Sequence, residues 1–162
     1  MRLNYFSSTY NTYRIVGRDI KGDTTGDGAF NFRVNVSNSA VTTGDKYSNV
    51  QIYMNRDASG VETGTQGEWK QNILNMGAWD MPDLNINNAV WYIDMTLYNV
   101  NTQKYKVADY AFGGVRNQGD RMLSVKGTIN VEETNTLTGV TIYKSNSTLS
   151  TGGHFTVYGL KE

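Results

Sequence analysis

The sequence predicts an all-β protein, an antiparallel β-sandwich of two sheets with about eight strands, on three observations. Apolar residues alternate with polar ones over runs of seven or eight residues. No long window shows a 3.6-residue period, and segments rich in Gly, Asp, Asn and Ser separate the runs. A period of two sends successive side chains to opposite faces, the pattern of a strand buried on one side only.

The elements follow in order. Leu3 to Phe6 is a short, ninth candidate, and Tyr13 to Arg18 is the first full strand. In the next, Phe30, Phe32, Val34 and Val36 share one face while Asn31, Arg33 and Asn35 share the other. Val50 to Asn55 is a strand. Trp91, Ile93, Met95 and Leu97 then alternate with Tyr92, Asp94, Thr96 and Tyr98. Lys104 to Phe112 follows, and then Leu123, Val125 and Ile129, with Gly127 marking a bulge or a close approach. Leu137 to Lys144 and His154 to Leu160 complete the set. Between them lie turn sequences such as Gly22-Asp23-Thr24-Thr25-Gly26-Asp27-Gly28, Thr43-Gly44-Asp45, Asp57-Ala58-Ser59-Gly60 and Asn117-Gln118-Gly119-Asp120. Gln71 to Met76 is the one stretch that suits a helical turn.

Strands of similar length without helices pack as two sheets, and the jelly roll is a common eight-stranded solution. Such a fold brings the first and last strands together. The end of the chain, a strand running into Tyr158-Gly159-Leu160, suits a sheet closed on its own ends.

Composition narrows the function classes. The 162 residues suit a single domain spanning 1–162, large enough to bury most of its apolar surface. With no Cys and one His, neither a disulfide framework nor a thiolate nucleophile nor a zinc finger can be built. Lys and Arg balance Asp and Glu at 15 each and form no run, which argues against nucleic acid as a partner. No stretch is apolar for 18 residues, so no membrane insertion is expected. The start, Met1-Arg2-Leu3-Asn4-Tyr5, carries no apolar leader segment, so export by the general secretory route is not expected.

The opening Phe6-Ser7-Ser8-Thr9-Tyr10-Asn11-Thr12-Tyr13-Arg14-Ile15-Val16-Gly17 resembles the first strand of small jelly-roll domains of tailed-bacteriophage virion proteins. Ile52-Tyr53-Met54-Asn55-Arg56-Asp57 is similar to their strand ending in Asn-x-Asp, and Phe155-Thr156-Val157-Tyr158-Gly159-Leu160 to their closing strand. The three pieces come in the family's order and span essentially the whole chain. The chain departs from the pattern at Tyr10, where Pro is common, at Val157, where Leu often stands, and after Asp57, where Trp69 stands in for an earlier aromatic. The resemblance implies a virion component, often trimeric: a capsid decoration protein or the tip of a head or tail fibre. Coiled-coil heptads and shaft repeats are missing, which suits a protein seated directly on a lattice, although a piece of a longer fibre would lack them too.

Candidate site residues are few. His154 has no sequence-local carboxylate, so it reads as a strand residue facing solvent or an interface. Asp23 and Asp27 can offer oxygens to Ca²⁺, but the EF-hand spacing is missing and a plain turn has the same composition. Trp91 belongs to the core, and Trp69 to packing at the start of the next element. Trp79, with Met76, Met81, Asp80 and Asp83, occupies the long irregular segment. It suits a subunit interface or a glycan contact, with packing inside its own monomer as the third option. Tyr92 and Tyr98 extend the same two readings on the outer side of the Trp91 strand, unless a loop of the chain covers them. Glu132 and Glu133 face opposite ways, make a poor glycosidase pair, and read as solvated. The sequons at Asn35 and Asn146 are expected by chance.

No catalytic residue, cofactor or metal site is therefore expected. The partners the resemblance implies are other copies of the chain, as a homotrimer, and the major capsid protein or another virion protein on the virion surface. A fibre-tip domain that reads a host surface glycan is the alternative, and a polysaccharide depolymerase a distant third.

Overall fold

The computed structural model describes residues 1–20, 30–57, 59–71, 74–75, 90–115, 122–144 and 153–161. Among them are twelve strands: β1 (Arg2–Leu3), β2 (Thr12–Ile20), β3 (Phe30–Val36), β4 (Ser39–Ala40), β5 (Tyr47–Asp57), β6 (Gly60–Gln71), β7 (Leu74–Asn75), β8 (Val90–Tyr98), β9 (Lys106–Val115), β10 (Met122–Val131), β11 (Gly139–Lys144) and β12 (His154–Leu160). They form two antiparallel sheets. The larger runs β12-β2-β8-β9-β10-β5-β6, and the smaller β1-β11-β3-β4 with β7 also paired to β3. The predicted two-sheet antiparallel sandwich is the observed architecture.

The alternating apolar faces meet between the sheets. Phe30, Phe32 and Val34 of β3 and Val140 and Ile142 of β11 face Ile15, Trp91, Ile93, Met95 and Phe112 of the larger sheet, all buried. Phe112 packs against Phe30 at 4.9 Å between ring centroids and stacks on Trp91 at 5.3 Å, so three aromatic rings tie the two layers together. Trp91 is a core residue, as its alternation predicts.

The first full strand and the last lie side by side as expected, but the sheet does not close: β12 is the edge of an open order, and β1 pairs with β11 in the smaller sheet. β12 lies antiparallel to β2, from His154 opposite Arg18 to Leu160 opposite Thr12. The Tyr10 ring rests on Gly159, so closely that a Cβ there would fall 2.2 Å from it. Opposite that contact, Tyr13 receives the backbone N–H of Ser7 at 2.7 Å, donates to the Ser7 carbonyl at 2.9 Å, and stacks on Phe6.

Several elements differ from expectation. β6 is a full twelve-residue strand that lacks the apolar alternation used to find strands, because it is exposed along most of both sides. β6 pairs with β5 down to Gly60, at φ +142° opposite Asp57, where the turn expected between them closes. Within the stretch suited to a helical turn, Gln71 ends β6 and Leu74–Asn75 forms β7 on the edge of β3. Gly127 marks a close approach rather than a bulge: pairing runs through it without a shift, and a Cβ would meet the Tyr110 ring at 2.8 Å. Register shifts instead in β2, between Gly17 and Ile20 where Asp19 adopts φ +53°, and where β5 meets β6, between Tyr47 and Asn49.

Candidate interaction face of the larger sheet

Five of the sequence-predicted site residues, Trp79, Met76, Met81, Asp80 and Asp83, lie outside the described residues, as do Asp23 and Asp27. Tyr92 and Tyr98 are both on the outer face of β8, turned away from the core. Tyr98 is half-buried. Tyr92 is 43% exposed, and its ring lies across Gly113 of the neighbouring strand, where a Cβ would stand 3.1 Å away.

Away from the register shifts in β2 and at Tyr47–Asn49, the seven strands of the larger sheet pair residue for residue, so its outer face can be read across strands. Thr156, Val16, Asp94, Ala111, Lys126, Ile52 and Thr65 are successive cross-strand neighbours on it. Tyr158, Arg14, Thr96, Asp109, Thr128, Val50 and Gly67 form the adjoining row. These rows pass from a charged half, where Arg14 of β2 pairs with Asp94 of β8, across Asp109, Lys126 and Thr128 to an apolar half centred on Val50 and Ile52 of β5.

The apolar half is built by an inverted strand. Val50, Ile52 and Met54 take alternate positions on β5, the pattern that normally marks a core face, yet all three are exposed, Ile52 at 65%. Turned inward instead are Asn49 and Gln51, both buried. They are satisfied by hydrogen bonds. Gln51 donates from Nε2 to Gln66 at 3.0 Å and accepts the Tyr110 hydroxyl, while Asn49 accepts the Glu68 backbone N–H at 2.9 Å. Burial pushes the Tyr110 hydroxyl pKa upward, which keeps it a donor to Gln51. Val61 on β6, Met122 on β10 and Val115 on β9 add exposed apolar surface around Arg56 and Met54. A depression of about 390 Å³ lies among Val50, Ile52, Asp109, Lys126 and Thr128. Trp69 is 72% exposed on β6, so the expectation that it packs at the start of the next element fails. It stands on a strand that no second layer of described residues covers.

The charged half is organised by a cross-strand ion pair. Arg14 grips Asp94 with two parallel hydrogen bonds, Nε to Oδ1 at 2.8 Å and a terminal nitrogen to Oδ2 at 2.5 Å. Arg14's hydrogen bonds hold the Asp94 carboxyl below its ordinary pKa, against a smaller upward push from burial, and Arg18 adds to the lowering. His154, the lone imidazole, is exposed opposite Arg18, as a strand residue facing solvent or an interface should be.

Glu133 departs from its solvated reading. It is buried and accepts from Lys46 at 2.7 Å and from the Asn135 backbone and side chain. Burial pushes its carboxyl pKa up, but the hydrogen bonds from Lys46 and Asn135 outweigh that and leave it below the ordinary value. Asn35, in one of the two sequons, is buried and bonded to Asn4 and Thr141, which closes it to modification in the folded chain. Among the described residues no group of three or more His, Asp or Glu is placed to hold a metal ion.

No family model, curated protein or solved structure matches this chain.

Sequence reasoning missed Ile52, Val61 and Met122 as surface residues, and Arg14, Arg18 and Asp94 as a cluster. Alternation finds a strand but does not say which face is covered. The signal available for β5 was its inward set, in which the amides Asn49, Gln51 and Asn55 are interspersed with Tyr47 and Tyr53, more polar than an ordinary core strand.

Proposed function

We propose that the protein is a non-enzymatic component of a tailed-bacteriophage virion, a capsid decoration protein that joins copies of itself, as a trimer, and the capsid lattice. The observation that carries this reading is the inverted β5: its apolar alternation faces outward while hydrogen-bonded amides face inward. An exposed apolar stripe of this kind marks an interaction surface. Removing apolar surface from water contributes about 25 cal/mol per Å², so a partner over Val50, Ile52, Met54 and Val61 gains from each. Many weak contacts repeated over a lattice add to firm attachment. The virion assignment rests on the opening and closing phrases that resemble the phage jelly-roll domains, and their meeting at Tyr10 and Gly159 supports it.

Labelled protein offered separately to undecorated capsids and to host cells tests the proposal. Saturable binding to capsids, lost in Ile52→Asp, supports decoration. Binding to cells alone would replace it with the fibre-tip reading, a domain recognising a host surface glycan.

A further inference from the structure

The charged half of the outer face is concave. A groove of about 560 Å³ runs between β12 and β2, lined by Arg14, Arg18, Asp94, His154, Thr156 and Tyr158. That size suits a ligand of one or two rings. A second depression of about 440 Å³ shares Val16, Arg18 and Asp94 with it and extends toward Tyr92 and Ala111. Together the two depressions span four strands, β12, β2, β8 and β9, with Tyr158 lining the first and Tyr92 the second.

Its charges are unequally committed. Arg14 is engaged with Asp94, but it uses only two of its five N–H donors there. Arg18 makes no ion pair with a described residue, although it is near enough to Asp94 to lower that carboxyl's pKa. The β-bulge explains its placement. The extra residue at Arg18–Asp19 breaks the ladder, with Asp19 at φ +53°, an uncommon conformation outside glycine. Bulges of this kind re-aim side chains and cluster beside functional sites. Asp19 lines the second depression, and His154 is the cross-strand partner of Arg18.

We propose that this groove binds an oxyanion carried on a saccharide ring, with Arg18 taking the anionic group, the Arg14–Asp94 pair bonding ring hydroxyls, and Tyr158 lying against the sugar's apolar face. A guanidinium presents a planar fork that matches a carboxylate or sulfate. The Arg14–Asp94 pair supplies donors and acceptors side by side, which a hydroxyl requires because it is both. Tyr158 is 49% exposed, with Thr156 beside it on the same outward face. The groove is separate from the apolar half, so its ligand and the proposed lattice contact are compatible in one molecule.

Amide and Arg side-chain NMR signals would be followed while the protein is titrated with a hexasaccharide containing glucuronate, its neutral glucose counterpart, and inorganic phosphate. Saturable shifts on Arg18, His154, Thr156 and Tyr158 with the acidic sugar are expected, at least tenfold weaker for the neutral one. Arg18→Gln should weaken the acidic sugar about tenfold with an unchanged amide spectrum elsewhere, and Tyr158→Ala should weaken both sugars. Equal affinity for phosphate and the acidic sugar would overturn the saccharide assignment. Equal affinity for the two sugars would overturn the role of Arg18. No saturable shift with any probe would overturn the site.

Discussion

The two halves of one sheet face have opposite relations to water. On β2 and β8 the outward Arg14 grips Asp94, while apolar Ile15, Ile93 and Met95 lie inside. On β5 the order is reversed: Val50 and Ile52 are outside, Asn49 and Gln51 inside. Both halves belong to one seven-stranded antiparallel sheet, so the reversal is a matter of which side chains each strand turns outward. A strand can satisfy the hydrogen bonds of the sheet and still leave its apolar face uncovered. In that case a second molecule becomes the natural place to look for the missing layer.

The largest expected effect falls on what both halves share. Phe112→Ala removes the ring that joins Trp91 to Phe30 and should destabilise the fold by about 3–5 kcal/mol, read in chemical denaturation. Ligand binding and assembly should fail together in it. Gln51→Leu should sharpen the contrast on the inverted side. It leaves the buried Tyr110 hydroxyl without its acceptor and should cost about 1–3 kcal/mol even though it adds an apolar residue to the interior. A stabilised variant would show that the inward amides are dispensable and that β5 is not held in this orientation by them.

On the charged side, Gly159→Ala drives a methyl into the Tyr10 ring and should cost about 1–3 kcal/mol in thermal unfolding, as overpacking does. Its effect should be confined to β12 and the groove, leaving association unchanged. The smallest effect is acid-dependent. The Asp94 pKa is lowered in the folded chain, so its pair with Arg14 contributes above the ordinary Asp value of 3.8 and is lost as pH falls through the lower folded value. Carboxyl and Arg14 Nε NMR signals should titrate together there, whereas methyl signals of Val50, Ile52 and Met54 should stay still. Their movement in the same window would mean that the two halves are coupled.

Much of the fold was legible because local pattern and burial agree over most of it. Phe30–Val36 and His154–Leu160 begin and end where alternation placed them, and Trp91 lies in the core. β6 was illegible because Gly, Thr and Gln fill a strand exposed along most of its length, and nothing in Gly60–Gln71 alternates by polarity. Of the candidate site, Tyr92 was readable as an outward aromatic. The Arg14–Asp94 pair was not, since it joins residues 80 apart through a register that only pairing defines. Glu133 was misread because its counterion, Lys46, is 87 residues away.

The inverted β5 as an assembly surface is tested most directly by sedimentation equilibrium of the wild-type chain and of the Val50→Asp, Ile52→Asp double variant. Both substituted residues are exposed, so the variant's melting temperature should match the wild type's within the about 0.5 kcal/mol typical of surface changes. The wild type should sediment with the mass of several chains and the variant as a single chain of 18.1 kDa, with association weakened at least tenfold, about 1.4 kcal/mol. A wild type that sediments as one 18.1 kDa chain at every concentration, indistinguishable from the variant, would contradict the account.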